Sequence, residues 1–455
     1  MLLRTKLFGK TYEFPDLRVL MGKANEEKSG DRLAGLAAAD AQERAAARLV
    51  LAEVPLWALR ACPAVPYDQD EVTRVIQDGV NETVYGAVKD VTVGELRERI
   101  LDNRQDGADL ALLGAGLTAE MVAAVAKLMS NMDLAYAASK IRVRRHAANT
   151  IGLERRLSGR LQPNHPTDSP EGIRAEIFEG LAYGCGDAVI GINPSDDSYA
   201  SVARLLDMTY GVVRTWEIPT QTCVLAHVTT QMRCLQSGSP VGLVFQSICG
   251  SQKGNESFGI SVGMLDEACA LARKHCYPAG PDYMYFETGQ GSALSANAHN
   301  GWDQLTLEAR NYGLARRYSP MLVNTVVGFI GPEYLYDTVQ IHRAGLEDHF
   351  MGKLTGVSMG CDVCYTNHAA TEQNSSENLA ILLAAAGCNF FMGVPMADDS
   401  MLSYQSTSFH DIAALRQMQG LRPAPEFERW LEDLGLMRDG RLTAKAGDPS
   451  FFLSR

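Results

Sequence analysis

Two textures of apolar spacing divide the chain. Across residues 1–150, "DRLAGLAAADAQERAAARLVLAEVPLWAL" (31–59) and "TAEMVAAVAKLMSNMDLAYAASK" (118–140) combine helix formers with apolar residues about 3.6 positions apart. They predict long helices, with Thr118 as N-cap of the second. From about 157 onward, short apolar or small-residue runs take over, each ending in Gly, Pro or a polar group. They are LSGRLQPN (157–164), AVIGINPS (188–195), TCVLAHVT (222–229), GLVFQSIC (242–249), YMYFETGQ (283–290), LVNTVVGFIG (322–331), GVSMGCDVCY (356–365) and NFFMGVPM (389–396). Their starts fall 20 to 41 residues apart, with helical patterns such as SPEGIRAEIFEGLAYG between them.

Eight strand-plus-helix units at this spacing predict an α/β fold, a (β/α)8 TIM barrel. A doubly wound sheet is the competitor, but it seldom needs eight units and would want a Gly-rich phosphate turn. The expected organisation is a mainly helical N-terminal region over 1–150 and the barrel with its active site over 151–415. A C-terminal helix with an exposed extension would occupy 416–455.

In such barrels the C-terminal strand ends and the loops after them build the active-site mouth. Read in order, those ends are Arg160 and Gln162, Asn193, His227, Gln246 and Ser247, Glu287, Phe329 and Asp362. Glu287 stops an apolar β-prone run, Tyr283–Phe286, where a buried strand has no use for a carboxylate. Arg160 brings one positive charge to the ring, and Glu287 and Asp362 one negative charge each, leaving −1. Buried charge needs compensation, so a small monocation with hydroxyl or amine donors fits, with Gln162 and Asn193 as further partners. The plainer alternative pairs Arg160 with one carboxylate as a structural ion pair.

Composition narrows the classes. A net charge of −12 argues against a nucleic-acid backbone or an anionic membrane surface as main partner. Ten scattered cysteines, mostly in apolar runs, and a start without a signal-like apolar region point to reduced thiols in a cytoplasmic protein. The uncharged stretch Asn378–Ala397 is long enough to span a bilayer, but Gly387, Asn389 and Pro395 interrupt it. It reads as a helix ending at Gly387 followed by a strand.

Three further motifs lack the context their chemistry needs. Gly114, Gly116 and Ala119 match G-x-G-x-x-A, but Asp133 falls in a predicted helix rather than at a second strand end. Cys361, Cys364 and His368 lack the second pair that a zinc site wants, so no metal is expected. "VQIHRAG" (339–345) echoes D-x-H-x-x-G, by which some enzymes ligate cobalamin through histidine, but Gln340 replaces the acid and His342 reads as a helix-surface residue. The mouth set has one histidine and no lysine, which disfavours a metallohydrolase or a Schiff-base aldolase.

The strand-end motifs "RLQPN", "DAVIGINP", "CVLAHVTTQ", "GLVFQSICGS", "YFETGQGSALS", "VNTVVGFIGPEYLY" and "MGCD" closely resemble the ethanolamine ammonia-lyase large-subunit family. The likeness runs from "KANEEKSGDRLAGLAA" through "AGLEDHFMGKL" and "RPAPEFERW" to "GRLTAKAGDPS". It implies an adenosylcobalamin-dependent radical carbon–nitrogen lyase that turns ethanolamine into acetaldehyde and ammonia. The cofactor would sit base-on over the barrel mouth, its cobalt not ligated by a protein side chain, at the interface with a separately encoded small subunit. A homo-oligomer of large subunits within a hetero-oligomer is implied, in the cytoplasm, with enclosure in a bacterial microcompartment as the more specific expectation.

Carried over by position, the resemblance makes Arg160, Gln162, Asn193, Glu287 and Asp362 substrate-binding residues. Glu287, Arg160 and Asp362 would be the catalytic ones. Glu287 would accept from the substrate hydroxyl, Asp362 would hold the ammonium with Gln162 and Asn193, and Arg160 would stabilise charge on the hydroxyl oxygen. Pro194, Gln246, Ser295 and Met401 match corrinoid contacts, and Ser247, Phe329 and Met392 would wall the radical cavity. At Ser257, beside Glu256, the family typically carries a glutamate implied to touch the adenosine ribose. A related cobalamin lyase acting on another short vicinal amino alcohol, and a non-catalytic binding or scaffold barrel, are the alternatives.

Overall fold

The structure, a computed structural model, describes residues 2–278 and 280–454. Eight parallel strands form one sheet: β1 (Ser158–Leu161), β2 (Val189–Ile192), β3 (Thr222–Val224), β4 (Val244–Ser247), β5 (Met284–Thr288), β6 (Leu322–Val326), β7 (Met359–Asp362) and β8 (Phe390–Gly393). Each lies inside one of the predicted runs. The neighbour order β3-β2-β1-β8-β7-β6-β5-β4 is a barrel, with β8 returning to β1.

The seam between β3 and β4 closes without a full ladder. Gly242 and Leu243 N–H donate to the Thr222 carbonyl, both at 3.0 Å. Above them Gln231 substitutes for backbone. Its Nε2 donates to the carbonyls of Ala226 and Phe245 at 2.7 Å each, and its Oε1 accepts from Phe245 N at 2.9 Å. Parallel register then sets the height of side chains: Glu287 pairs with Ser247 on one side and Asn324 on the other, and Arg160 pairs with Met392. Partners across parallel strands face the same way, so Arg160, two residues beyond Ser158, which the register aligns with Glu287, shares the face of Glu287.

A helix follows each strand: α1 (Pro170–Ala182), α2 (Tyr199–Thr215), α3 (Val228–Gln236), α4 (Val262–His275), α5 (Gln304–Ala315), α6 (Thr338–Thr355), α7 (Gln373–Ala385) and α8 (Phe409–Gln419). The uncharged stretch is the end of α7 followed by β8. Among the described residues no helix is long and apolar enough to cross a membrane.

The two long N-terminal stretches are shorter helices than their periodicity predicts. The first breaks into Ser29–Leu33, Ala41–Ala52 and Leu56–Arg60, because Asp40 caps Ala41–Ala52 by accepting from Glu43 N and Pro55 starts another. The second breaks at Ser130, which exchanges capping bonds with Asp133. Thr118 stands at the N-cap of Ala119–Lys127, but its buried hydroxyl makes no capping bond. Asp133 pairs with Arg97, so the glycine motif is a helix-to-helix turn. His342, expected on a helix surface, is half-buried, its Nε2 2.6 Å from the Ser375 carbonyl.

The N-terminal helices wrap α5 and α6 so completely that all twelve residues of α5 are buried, polar ones included. Buried charge staples the layers together. Lys127 Nζ meets Asp303 Oδ1 at 2.7 Å, and Lys28 and Arg343 both reach Glu347, at 2.8 and 2.6 Å. Arg310 joins Glu120 at 2.7 Å and Asp70 at 3.0 Å. At the other end the C-terminal extension, expected to be exposed, is pinned by Phe452, 1% exposed and stacked on Phe178 of α1.

Removing one partner of a buried pair strands the other charge. Asp303→Ala should therefore cost about 3–5 kcal/mol, read as a lower denaturant midpoint, while an apolar replacement of both Lys127 and Asp303 should recover most of it.

Candidate active site

The strand ends converge on one cavity of about 410 Å3, and Arg160, Gln162, Asn193, His227, Gln246, Ser247, Glu287, Phe329 and Asp362 all line it. The ring inferred from strand ends is thus a single site. Such a volume suits a ligand far larger than a two-carbon molecule.

Its electrostatics start from Arg160, which is 1% exposed. The guanidinium Nη1 lies 3.6 Å from Glu287 Oε1, too long for a hydrogen bond, and the group stands over the Tyr285 ring at 5.4 Å. Arg160 Nε and Nη2 are buried with no hydrogen-bond partner. Glu287 is held from behind: Tyr285 OH donates to Oε1 at 2.6 Å and Asn324 Nδ2 at 3.3 Å. Both bonds fall on Oε1, which leaves Oε2 available. The structural ion pair weighed against the ligand reading is therefore present but loose.

Asp362, at the end of β7, is 1% exposed and accepts from Tyr404 OH at 2.9 Å and from Ser406 Oγ. Burial pushes its carboxyl up to about 7, outweighing the opposing effects of Ser406, Tyr404 and Arg160. Gln162 donates from Nε2 to Asp399 Oδ2 at 2.7 Å, and its buried Oε1 has no partner. Orphaned donors on Arg160 and an orphaned acceptor on Gln162 belong to residues that line the same cavity, and an unpaired buried polar group is costly.

His227 caps α3, with Nδ1 accepting from Thr229 N at 3.3 Å and Nε2 donating to the Phe258 carbonyl at 3.0 Å. Both ring nitrogens are committed. Gln246 Oε1 accepts from Val228 N at 3.0 Å. Among the described residues, no group of three or more His, Cys, Asp or Glu could hold a metal ion.

Four positions assigned by resemblance lie around the cavity rather than among its lining residues. Pro194 is half-buried in the loop after β2, Ser295 is exposed and donates to the Ser292 carbonyl at 2.9 Å, and Met401 is half-buried beyond β8. Met392 is fully buried beneath the mouth with Cys364, Val394 and Tyr404. Ser257 and Glu256 end a short helix, where Ser257 donates to the Gly254 carbonyl at 2.7 Å and Glu256 accepts from Gln252. Their neighbour Phe258 lines the cavity.

The strand ends did not disclose Tyr285, Asn324, Tyr404, Ser406 or Asp399, which hold the ring from outside. Tyr285 and Asn324 were discoverable by register, as inward positions two residues before Glu287 and opposite it. The other three sit past β8, where periodicity carries no signal.

A family model described as ethanolamine ammonia lyase large subunit (EutB) matches residues 12–445. The Escherichia coli K12 protein named ethanolamine ammonia-lyase large subunit is 58% identical over 452 residues, 99% of this chain and 100% of that one. The Salmonella typhimurium LT2 protein of the same name matches at the same identity and coverage. The chain belongs to the ethanolamine ammonia-lyase large-subunit family. This is a family of carbon–nitrogen lyases.

Asp362 gives the site a pH signature. Its folded-state value, about 7, exceeds the ordinary 3.8, so the folded chain holds a proton that the unfolded chain has lost between those values. Stability from this group is complete below pH about 4 and falls as pH rises towards 7. Asp362→Asn should flatten that slope: denaturant midpoints at pH 5 and pH 8 should differ less in the variant than in the parent.

Proposed function

We propose that the chain catalyses the adenosylcobalamin-dependent conversion of ethanolamine into acetaldehyde and ammonia, together with a small subunit over the barrel mouth. The observation that carries the reading is the pairing of unsatisfied groups with two carboxylates in one cavity. Ethanolammonium carries a hydroxyl for Glu287 and Arg160 and an ammonium for Asp362 and Gln162 Oε1, and it supplies the missing positive charge. The side-chain amide of Asn193 adds a further partner to the ammonium.

The cofactor fits the same observations. The cavity exceeds the substrate several-fold, and Phe329, 37% exposed, offers an apolar wall at its rim. Gln246, Ser247 and Phe329 would face the group in the cavity, with Pro194, Ser295 and Met401 around the mouth and Met392 packed beneath. Because His227 has both nitrogens engaged, a base-on cofactor needing no protein ligand suits this mouth. When bound, adenosylcobalamin would supply the radical chemistry needed at the hydroxyl-bearing carbon.

The chain's own share is positioning and electrostatics. Glu287 accepts from the hydroxyl, and its partners Tyr285 and Asn324 keep the carboxylate from turning away. Arg160 donates to the hydroxyl oxygen as negative charge gathers there. Asp362 and Gln162 hold the nitrogen while it moves between adjacent carbons. Glu287 then stands to take the hydroxyl proton as ammonia leaves.

Chain, small subunit, adenosylcobalamin and ethanolamine together should yield acetaldehyde and a paramagnetic signal; silence in both would end the proposal. Glu287→Gln removes a charged hydrogen bond of about 1.5–3 kcal/mol. Calorimetry should then show ethanolamine affinity lowered about tenfold or more, and unchanged affinity would contradict the role of Glu287.

A further inference from the structure

We infer that Asp399 is a positioning residue that fixes the side-chain amide of Gln162 with Oε1, not Nε2, towards the bound ammonium. This rests on the reading of the cavity as an ethanolamine site and names the device that sets its polarity.

Asp399 is 1% exposed and is not among the cavity-lining residues. Its four hydrogen bonds divide into two pairs. Oδ2 accepts from Gln162 Nε2 at 2.7 Å and from Asn164 Nδ2 at 2.5 Å. Oδ1 accepts from the backbone N–H of Leu402 at 2.8 Å and of Met401 at 3.1 Å. A carboxylate offers acceptors only, so it settles which end of a facing amide turns towards it. Gln162 must present nitrogen to Asp399, and its oxygen is left buried and unpartnered among the cavity-lining residues.

The fold supports the assignment. Asp399 pairs with Tyr404 in a small antiparallel sheet beyond β8, and Tyr404 OH donates to Asp362. One piece of structure therefore orients both groups assigned to the ammonium. The same carboxylate gathers the N–H groups of Met401 and Leu402, and Leu402 lines the cavity. The rim segment and the polarity of the substrate site are thus set together.

An asparagine introduced at this position cannot meet both demands. If its oxygen keeps the rim N–H groups, its Nδ2 faces Gln162 and Asn164, and those amides turn over. Gln162 then presents Nε2 to the ammonium. In the assembled holoenzyme, Asp399→Asn should raise KM for ethanolamine about tenfold or more while kcat changes much less. Gln162→Glu alone should also raise KM, because a carboxylate at 162 would confront that of Asp399. The double variant should recover, since the introduced asparagine donates from Nδ2 to the new carboxylate, whose other oxygen faces the ammonium.

An unchanged KM in Asp399→Asn overturns the inference, as does a double variant no better than the worse single one. If the asparagine variant does not assemble, Gln162→Glu decides alone, because a KM unchanged or lowered shows no acid facing the amide nitrogen. The parent enzyme separates the two levels. A parent that does not turn over ethanolamine fails the reading of the site, whereas an active parent matched by Asp399→Asn fails only the role of Asp399.

Discussion

Desolvated charge is the constraint on which this molecule depends. Arg160 is buried at the mouth with only a distant carboxylate beside it, and Asp362 is buried with hydroxyl donors but no cation in contact. Neither arrangement is comfortable in a medium of low dielectric, where unpaired charge and unpaired donors are both penalised. The molecule tolerates this because the surroundings over-determine every side chain. Tyr285 and Asn324 fix Glu287, Tyr404 and Ser406 fix Asp362, and the small sheet beyond β8 fixes Tyr404. A cation with a hydroxyl, the ligand proposed above, would relieve that discomfort.

The same logic governs the other side of the barrel with the opposite outcome. Around α5 and α6 several buried charges have a close charged partner, Lys127 with Asp303, Arg310 with Asp70 and Glu120, and Lys28 and Arg343 with Glu347, whereas Glu308, Asp348 and Lys353 are met by neutral groups alone. All of these pairs but Arg343–Glu347, which lies within α6, join the N-terminal region to the barrel, and Arg343 reaches that region through the carbonyls of Met129 and Ala126. Charge paired in this way is structural.

Much of the barrel was legible because each strand, buried on both faces, reads as a short apolar run with a polar stop. The same stops disclosed the ring, since Arg160, Asn193, Glu287 and Asp362 stand where apolar patterning ends. Other features were hidden for physical reasons. "QLTLEARNYGLA" looks like a half-exposed helix, yet all of it is buried, because Gln304, Thr306 and Arg310 are met by residues well over a hundred positions away while Glu308, Asn311 and Tyr312 bond one another. The N-terminal helices keep their periodicity across Asp40 and Ser130, so only capping chemistry shows the breaks. Asp399 and Tyr404 lie on irregular backbone after the last strand, where no period applies, and family resemblance supplied the small subunit and the cofactor that no spacing could.

The closure of the barrel at Gln231 has a mechanical consequence. Seven of the eight interstrand joints are backbone ladders, whereas between β3 and β4 two N–H groups and one glutamine amide carry the wall. A rotamer change can release that amide, while a ladder yields only by separating strands. The cylinder therefore has one seam, beside His227 and Gln246, whose closure rests partly on a side chain rather than on backbone alone.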